Sequence, residues 1–381
     1  MLPYIILFLF TALFAFYQFQ RRKKVSPGLF GAYVMALGLF VGISDMLGGY
    51  DRYIYGEVFT SVSEYVARGD GVYNPTFNLY LAKEPIYGYI NVLIGLFSPN
   101  RYVFILVYTL LVYAIYGICF YRYTDQPFFA LLVFLGLMFF FTFTYLRQVL
   151  AVGIVWLALS YYRKRDTWRY LGMIAIATLT HNSAAIMAAL YFIPLRKWRF
   201  SQIMTVMLCL FGLGLIGLGE MFAAFGGFIG NDNIVEHAEA AEAGFRYEYV
   251  VESFLFLYIL YLNYKTVRKE KETLSYLNLY LMFCGILLLF CKSGDGGRIA
   301  WYGVMGVIIM LTRFCKGMRG VQLRTLLTIM FFALFMRILL AWNILLYPYK
   351  TFFTDGVREG DWIYKKYEYD FNYEKDKLYN L

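Results

Sequence analysis

Charged residues are scarce in this chain of 381 residues. Asp, Glu, Lys and Arg make up 16% of it, whereas ordinary soluble domains have about a quarter. Hydrophobic residues account for 61%, and the mean hydropathy is +0.57. No soluble fold needs so many apolar stretches of about 20 residues, the length that crosses a bilayer as a helix. The composition therefore predicts an all-α, polytopic membrane protein.

The sequence also lacks the usual signatures of metal, nucleotide and nucleic-acid sites. The Gly-rich stretch 292–298 follows no strand, so it does not fit a nucleotide-binding P-loop. His237 has only acidic neighbours and no second histidine, so no metal site is expected there. The net charge of +10 is spread over short runs rather than a basic domain, so nucleic acid is not an expected partner.

The five cysteines show neither a disulfide framework nor metal-ligand spacing. They lie in or beside apolar segments and are expected to be packing residues: Cys119, Cys209, Cys284, Cys291 and Cys315. Residues 2–19 are apolar but lack the basic start and the small-residue cleavage site of a signal peptide. We expect this segment to be a retained first span with its N-terminus outside.

Apolar runs predict about 11–13 transmembrane helices in a single domain of residues 1–346. The spans are expected near 2–19, 28–47, 101–120, 127–145, 147–162, 168–181, 183–195, 201–219, 249–264, 274–291, 298–312 and 323–346. The region 168–195 is short for two spans, which predicts broken or incomplete crossings. Residues 86–98 are too short to cross and are expected to re-enter the membrane.

Outer loops are expected near 48–85 and 220–248, and a Tyr- and charge-rich tail at 347–381. Basic runs favour the cytoplasmic side of a membrane. There are five of them, at 21–24, 163–165, 196–199, 265–271 and 313–319. Placing all five inside puts these polar residues on the opposite side: Asp51, Glu84, Arg147, Gln148, His181, Asp295 and Arg298. Because polar residues at membrane depth are tolerated where they line a wet cavity, we predict a shared extracytoplasmic cavity.

Two arginines interrupt apolar segments. Arg147 is either an arginine that extends to the headgroups or a ligand for an anion, and its planar fork suits phosphate or diphosphate. Arg337 lies 13 residues beyond Arg324, which is about 20 Å along a helix and reaches the outer half of the membrane. Its alternative role is a salt bridge to another helix.

Two polar residues of the predicted outer side have more than one possible role. His181, at a predicted helix end, is either a hydrogen-bonded capping residue, or a general base or hydrogen-bond donor to the reacting groups. Asp51 is either a solvated carboxylate or a cap for the helix after it. The Gly-rich stretch ending at Arg298 and containing Asp295 could bend backbone N–H groups over an anionic ligand.

Taken in order, five pieces of the chain resemble the EpsG family of bacterial exopolysaccharide-biosynthesis membrane proteins, itself similar to Wzy-type O-antigen polymerases. The resemblance covers about residues 1–315. It is carried by Gly49-Tyr50-Asp51 with Tyr53 and Tyr55, by Glu84-Pro85, by 145–151, by Thr180-His181-Asn182-Ser183 at the end of 175–183, and by Gly297-Arg298 with Tyr302.

The resemblance implies a GT-C-like helical fold and a glycosyltransferase or polymerase at the outer face of the bacterial inner membrane. Its donor and acceptor would be oligosaccharides on polyprenyl diphosphate, with a chain-length regulator as a further partner. Arg147 and Arg298 would hold the diphosphate, with Arg337 a weaker candidate. Two guanidinium groups would neutralise it, so neither metal nor cofactor is expected.

The base would be Asp51 or His181. Asp51 is slightly preferred because GT-C-like enzymes tend to place a carboxylate in the first outer loop. Glu84 and Gln148 would orient sugar hydroxyls, with Asp295 also near the substrate, and the outer loops would gate the acceptor. Two other functions stay open. A transporter or flippase of lipid-linked sugars would need the arginines but no base, and a membrane O-acyltransferase would use an outward-facing histidine.

Overall fold

A computed structural model describes residues 1–21, 23–69, 83–217, 244–316 and 320–354. Within these ranges the regular elements are helices, apart from an isolated antiparallel bridge between Ser44 and Thr351. The chain is therefore an all-α polytopic membrane protein, as the composition predicts. The described residues fall into two compact units: 1–157, 175–182 and 317–381 contribute to the first, and 158–174 and 183–316 to the second.

The first unit contains α1 to α6, most of α7, the end of α8, and α14 and α15. These helices are α1 (Leu2–Arg21), α2 (Pro27–Gly42), α3 (Tyr50–Arg68), α4 (Pro85–Gly95), α5 (Arg101–Tyr123), α6 (Pro127–Leu137), α7 (Leu146–Lys164), α8 (Thr167–Thr180), α14 (Gly320–Ala341) and α15 (Asn343–Leu346). Helix α2 packs along α5, α6 lies against α1 and α14, and α3 contacts α4 and α5.

The second unit is built around one buried helix, α11. Its helices are α9 (Phe200–Ile216), α10 (Tyr247–Asn263), α11 (Lys271–Leu289), α12 (Gly296–Ala300) and α13 (Val304–Phe314), together with 3-10 segments at Asn182–Phe192, Tyr264–Thr266 and Trp301–Gly303. Helix α11 contacts α9, α10, α12 and α13. Because it is enclosed by these four helices, it forms the core of its unit.

Four of the described helices are long and apolar enough to cross a bilayer: α1, α5, α11 and α14. With a rise of about 1.5 Å per residue, helices of about 20 residues match the hydrocarbon thickness. Helices α2, α6 and α9 and the 3-10 segment Asn182–Phe192 are apolar but shorter. The predicted total of 11–13 spans and the GT-C-like architecture stay predictions.

Helix starts follow the local sequence. Ser26 caps α2, because its side chain accepts a hydrogen bond from the Leu29 N–H, and Pro27 occupies the first helical position. Asn100 caps α5 by accepting hydrogen bonds from the N–H groups of Tyr102 and Val103. Polar caps between apolar runs thus set where these two helices begin.

Three predicted segments differ from the structure. Residues 48–85, predicted as an outer loop, contain the 19-residue helix α3. Residues 127–145, predicted as one span, divide into α6 and the 3-10 turn Phe139–Phe143. Residues 183–195, also predicted as a span, form the 3-10 segment Asn182–Phe192. Helix α8 ends at Thr180, so the boundary between the predicted segments 168–181 and 183–195 is close to where it was predicted.

The start of the predicted tail is ordered against the end of α2. Tyr349 stacks on Phe40 with ring centroids 4.4 Å apart, and its hydroxyl donates to the Phe40 carbonyl at 2.7 Å. Phe352 is fully buried, and its N–H donates to the Ile43 carbonyl. Tyr349 and Phe352 therefore attach this segment to the first unit. Residues 355–381 lie outside the described part of the chain.

Candidate functional site

A buried carboxylate organises the polar cluster of the first unit. Glu84 immediately precedes α4, where Pro85 occupies the first helical position, and its side chain is 6% exposed. Its Oε2 contacts Nη1 of Arg147 at 2.6 Å. Arg147 is the second residue of α7 and follows the turn after the 3-10 segment Phe139–Phe143. Because the predicted span 127–145 is broken by this turn, Arg147 lies at the start of a new helix, where it contacts Glu84.

The other carboxylate oxygen of Glu84 faces a histidine. Its Oε1 lies 2.6 Å from Nδ1 of His181 and also accepts a hydrogen bond from the backbone N–H of Asn182 at 3.4 Å. His181 directly follows α8, and its own N–H still donates to the carbonyl of Ala177. The end of α8 thus fixes the imidazole at the carboxylate.

Burial and charge act in opposite directions on Glu84. Burial alone would raise the pKa of the carboxyl group. The hydrogen bond from His181 and the positive charge of Arg147 outweigh burial, and the pKa of Glu84 lies below its usual value. Glu84 is therefore an anion at neutral pH, in contact with the guanidinium of Arg147 and with Nδ1 of His181.

Two tyrosines flank the guanidinium of Arg147. Its Cζ lies 5.4 Å from the ring centroid of Tyr55 and 5.6 Å from that of Tyr87. Both tyrosines are buried, and their rings are arranged edge to face, with centroids 6.0 Å apart. Aromatic faces attract a guanidinium, more strongly when water is excluded. The arginine side chain remains 26% exposed, so a ligand can approach it.

A second arginine, Arg52 on α3, supports the turn before Arg147. Its side chain is fully buried and donates hydrogen bonds to the carbonyls of Phe143, Val41 and Ser44 at 3.0–3.1 Å. Val41 lies at the end of α2, Ser44 lies two residues beyond that end, and Phe143 ends the 3-10 segment that leads into α7. A buried charge needs such partners. Arg52 therefore fixes the start of α3 and the turn that precedes Arg147 in the chain.

The other predicted site residues of the first unit lie as follows. Asp51 is half-buried in the first turn of α3, where a carboxylate is favoured by the helix dipole; the N-cap itself is Gly49. Gln148 is buried beside Arg147. Arg337 is exposed on α14. The structure thus brings Glu84, Arg147 and His181 into direct contact, while Arg337 is not shown to contact this cluster.

Asp295 and Arg298 belong to the second unit. They form an ion pair three residues apart at the start of α12, and both remain partly exposed. The bend before them is stabilised by Tyr249, whose hydroxyl donates to the Gly294 carbonyl at 3.1 Å. A Cβ at Gly297 would lie 2.8 Å from the Tyr249 hydroxyl oxygen, so a larger residue there requires the tyrosine to shift. Tyr302 and Ser183 hydrogen-bond through their hydroxyls at 2.8 Å.

Several predictions from sequence are not tested by this geometry. The shared cavity, the clamp formed by two arginines and the roles assigned to single residues stay predictions. In the described part of the chain, no group of three His, Cys, Asp or Glu residues is placed to hold a metal. His237 and most of the predicted outer loop 220–248 lie outside the described residues.

Sequence reasoning did not find the supporting residues of the cluster. The packing role of Tyr55 could have been found, because Tyr55, Phe59 and Val62 recur at helical spacing on the buried face of α3. Tyr87 and Arg52 carry no comparable pattern. The contact of Glu84 with His181 joins residues 97 positions apart, and only the tertiary structure reveals it.

The chain was compared with protein families, curated proteins and solved structures. The model of the EpsG family matches residues 29–351. The comparisons with curated proteins and with solved structures gave no significant match. The family match includes every candidate site residue discussed above.

Proposed function

Because the chain belongs to the EpsG family, we propose that it is a polysaccharide polymerase of the glycosyltransferase type. It would join sugar repeat units carried on polyprenyl diphosphate at the extracytoplasmic face of the bacterial inner membrane. The observation that carries the proposal is the buried Glu84 carboxylate, which contacts a histidine and an arginine at once. A base and an anion-binding group side by side are what this transfer requires.

The reaction breaks one bond and forms another. A hydroxyl of the acceptor sugar attacks the anomeric carbon of the donor, and the bond from that carbon to the diphosphate oxygen breaks. The hydroxyl proton passes to a base, and polyprenyl diphosphate leaves with the bonding electrons. An enzyme lowers the barrier by binding the charge that develops on the leaving group and by taking the proton as the new bond forms.

Arg147 is the proposed ligand of the leaving diphosphate. Glu84 engages its Nη1, and Tyr55 and Tyr87 pack at its sides, so the guanidinium plane is held in one orientation before a ligand arrives. Preorganised donors of this kind need no rearrangement during the reaction. Arg337 on α14 is a weaker candidate for the same role, and the role of Arg298 in binding an anion stays a prediction from sequence. Gln148, buried beside Arg147, is proposed to orient sugar hydroxyls.

His181 is the base that the contacts favour. One ring nitrogen faces an anionic carboxylate, and the side chain is 25% exposed, so it is not sealed off from a ligand. Asp51 is the alternative base. It lies in the first turn of α3, where the dipole of the helix already stabilises its negative charge, which weakens it as a proton acceptor.

Purified protein in nanodiscs, supplied with lipid-linked oligosaccharide repeat units, tests the proposal. We expect a ladder of products that differ by one repeat unit each. The control is the same assay with repeat units whose acceptor hydroxyl is blocked, which should give no ladder. If the protein instead moves lipid-linked sugar across proteoliposomes and leaves its length unchanged, it is a flippase and the proposal is wrong.

A further inference from the structure

The hydrogen-bond partners of Glu84 lead to an inference about which nitrogen of His181 carries the proton. We propose that Glu84 is a positioning residue that holds His181 as the tautomer with its proton on Nδ1, leaving Nε2 unprotonated. The tautomer of His181 can be measured whatever reaction the protein catalyses. The role of that tautomer in catalysis rests on the proposed function. Glu84 would thus act through His181 on the acceptor, rather than contacting the sugar hydroxyls as the sequence suggests.

The two oxygens of Glu84 have separate partners. Oε2 accepts from Arg147, while Oε1 faces Nδ1 of His181 at 2.6 Å and accepts from the Asn182 N–H. Because the arginine and the backbone N–H both donate, the carboxylate cannot turn without losing a charged or a backbone partner. An ionised carboxylate only accepts hydrogen bonds, so the nitrogen at 2.6 Å has to carry the proton.

The proton on Nδ1 determines what the other ring nitrogen, Nε2, can do. In a neutral imidazole only one nitrogen bears hydrogen, so a proton on Nδ1 makes Nε2 an acceptor. With Nε2 available, His181 can take the proton of the acceptor hydroxyl as the glycosidic bond forms. The resulting imidazolium would be stabilised by Glu84 at Nδ1, and the proton then passes to water. Histidine bases are commonly oriented in this way by a carboxylate.

The chain offers a direct measurement because it has only two histidines, His181 and His237. In protein labelled with ¹⁵N-histidine and carrying His237→Gln, every imidazole signal comes from His181. At alkaline pH, we expect the protonated nitrogen to be Nδ1 and the unprotonated one Nε2. A proton on Nε2, or on both nitrogens at that pH, would overturn the proposal.

The variant Glu84→Gln sharpens the test because the amide is nearly isosteric with the carboxylate. Its oxygen should face the guanidinium of Arg147, which can only donate. Its NH₂ group then faces Nδ1 of His181 and donates to it, which moves the imidazole proton to Nε2. We expect an inverted tautomer in this variant. An unchanged tautomer would show that Glu84 does not set it.

A second readout separates this inference from the proposed function. In the lengthening assay, Glu84→Gln should lower kcat about 100-fold or more, since a positioned base contributes about 10²–10⁴-fold. Glu84→Asp, which keeps the carboxylate, should recover part of the loss. A tautomer that inverts in a protein that does not lengthen sugars at all would uphold the positioning role and reject the polymerase. Full activity with the inverted tautomer would reject the positioning role alone.

Discussion

At the scale of single residues, the position of Arg147 is the feature that most needs an explanation. A charged residue within apolar sequence costs about 2.5–3.5 kcal/mol at the centre of a bilayer on insertion scales. The structure offsets this cost with the Glu84 carboxylate and the rings of Tyr55 and Tyr87. The sequence identifies the arginine as unusual, but its partners come from α3 and from the residues around α4, far from it in the chain.

The variant Arg147→Lys tests whether the planar fork matters. A lysine keeps the charge but cannot bind a diphosphate with two parallel hydrogen bonds. Losing a charged hydrogen bond of about 1.5–3 kcal/mol should lower the initial lengthening rate about 10- to 100-fold. Arg324→Lys, on α14 at the predicted cytoplasmic side, is the matched control and should lengthen normally. Wild-type rates from Arg147→Lys would show that position 147 needs only a positive charge.

The lowered pKa of Glu84 predicts how stability depends on pH. A carboxylate with a lowered pKa stabilises the fold above its unfolded pKa of about 4.3, and this stabilisation is lost as pH falls through the folded pKa. At neutral pH, Glu84→Gln should therefore destabilise the protein by about 1–3 kcal/mol. The gap to wild type, measured as thermal unfolding in detergent, should shrink below about pH 4.

The control for this pH series is Glu64→Gln, because Glu64 is exposed on α3. That variant should melt with the wild type throughout the series. A difference between Glu84→Gln and wild type that stays constant across the pH range would contradict the assigned ion pair.

At the scale of elements, the apolar runs predict where helices lie but not where they break. Residues 127–145 are apolar throughout, yet the helix ends at Leu137 and a 3-10 turn follows. In that turn the Thr142 hydroxyl bonds both the Phe139 carbonyl and the hydroxyl of Tyr113 on α5. A hydropathy profile contains no information about a tertiary contact of this kind, so it does not predict where the helix ends. The length of α3 is not evident from hydropathy, because charged residues on its exposed face interrupt the apolar residues of its buried face.

The junction between α2 and α3 contains two adjacent glycines with positive φ, Gly48 and Gly49. Gly48 has φ of +108°, and a Cβ there would lie 2.6 Å from Cβ of Phe143. Gly48→Ala should therefore destabilise the protein by at least about 1–3 kcal/mol and disturb the turn before Arg147. Gly28→Ala is the control, because a Cβ at Gly28 meets nothing within 4 Å.

Thermal unfolding in detergent measures both glycine variants. Gly28→Ala should match the wild type or stabilise it by up to about 1 kcal/mol, as alanine does where the backbone suits it. Equal melting of Gly48→Ala and Gly28→Ala would mean that the chain around position 48 adapts without strain.

At the scale of the whole molecule, the central prediction is sidedness. The sequence predicts it from the basic runs, which favour the cytoplasmic side. Helix α10 offers a compact experiment because its two flanks are predicted on opposite sides. Gly244, before α10, is exposed and has open space around it, while Lys269, after it, is exposed in a basic run.

Single cysteines at these positions report the orientation of α10. In a background with the native cysteines replaced, Gly244→Cys should react with an impermeant maleimide added to intact cells. Lys269→Cys should react only after the membrane is permeabilised. The reverse pattern would place residues 244–246 in the cytoplasm and overturn the predicted orientation.

The assignment of the chemistry to the Glu84 cluster is tested by comparing the two candidate bases. The assay measures a single turnover, in which a lipid-linked oligosaccharide is lengthened once. His181→Gln and Asp51→Asn are both nearly isosteric changes. We expect His181→Gln to bind the donor normally but to lengthen it at least about 100-fold more slowly, as loss of a general base requires. Asp51→Asn should stay within about tenfold of wild type. Near wild-type lengthening by His181→Gln, with loss of turnover in Asp51→Asn alone, would contradict the assignment of the chemistry to the Glu84 cluster.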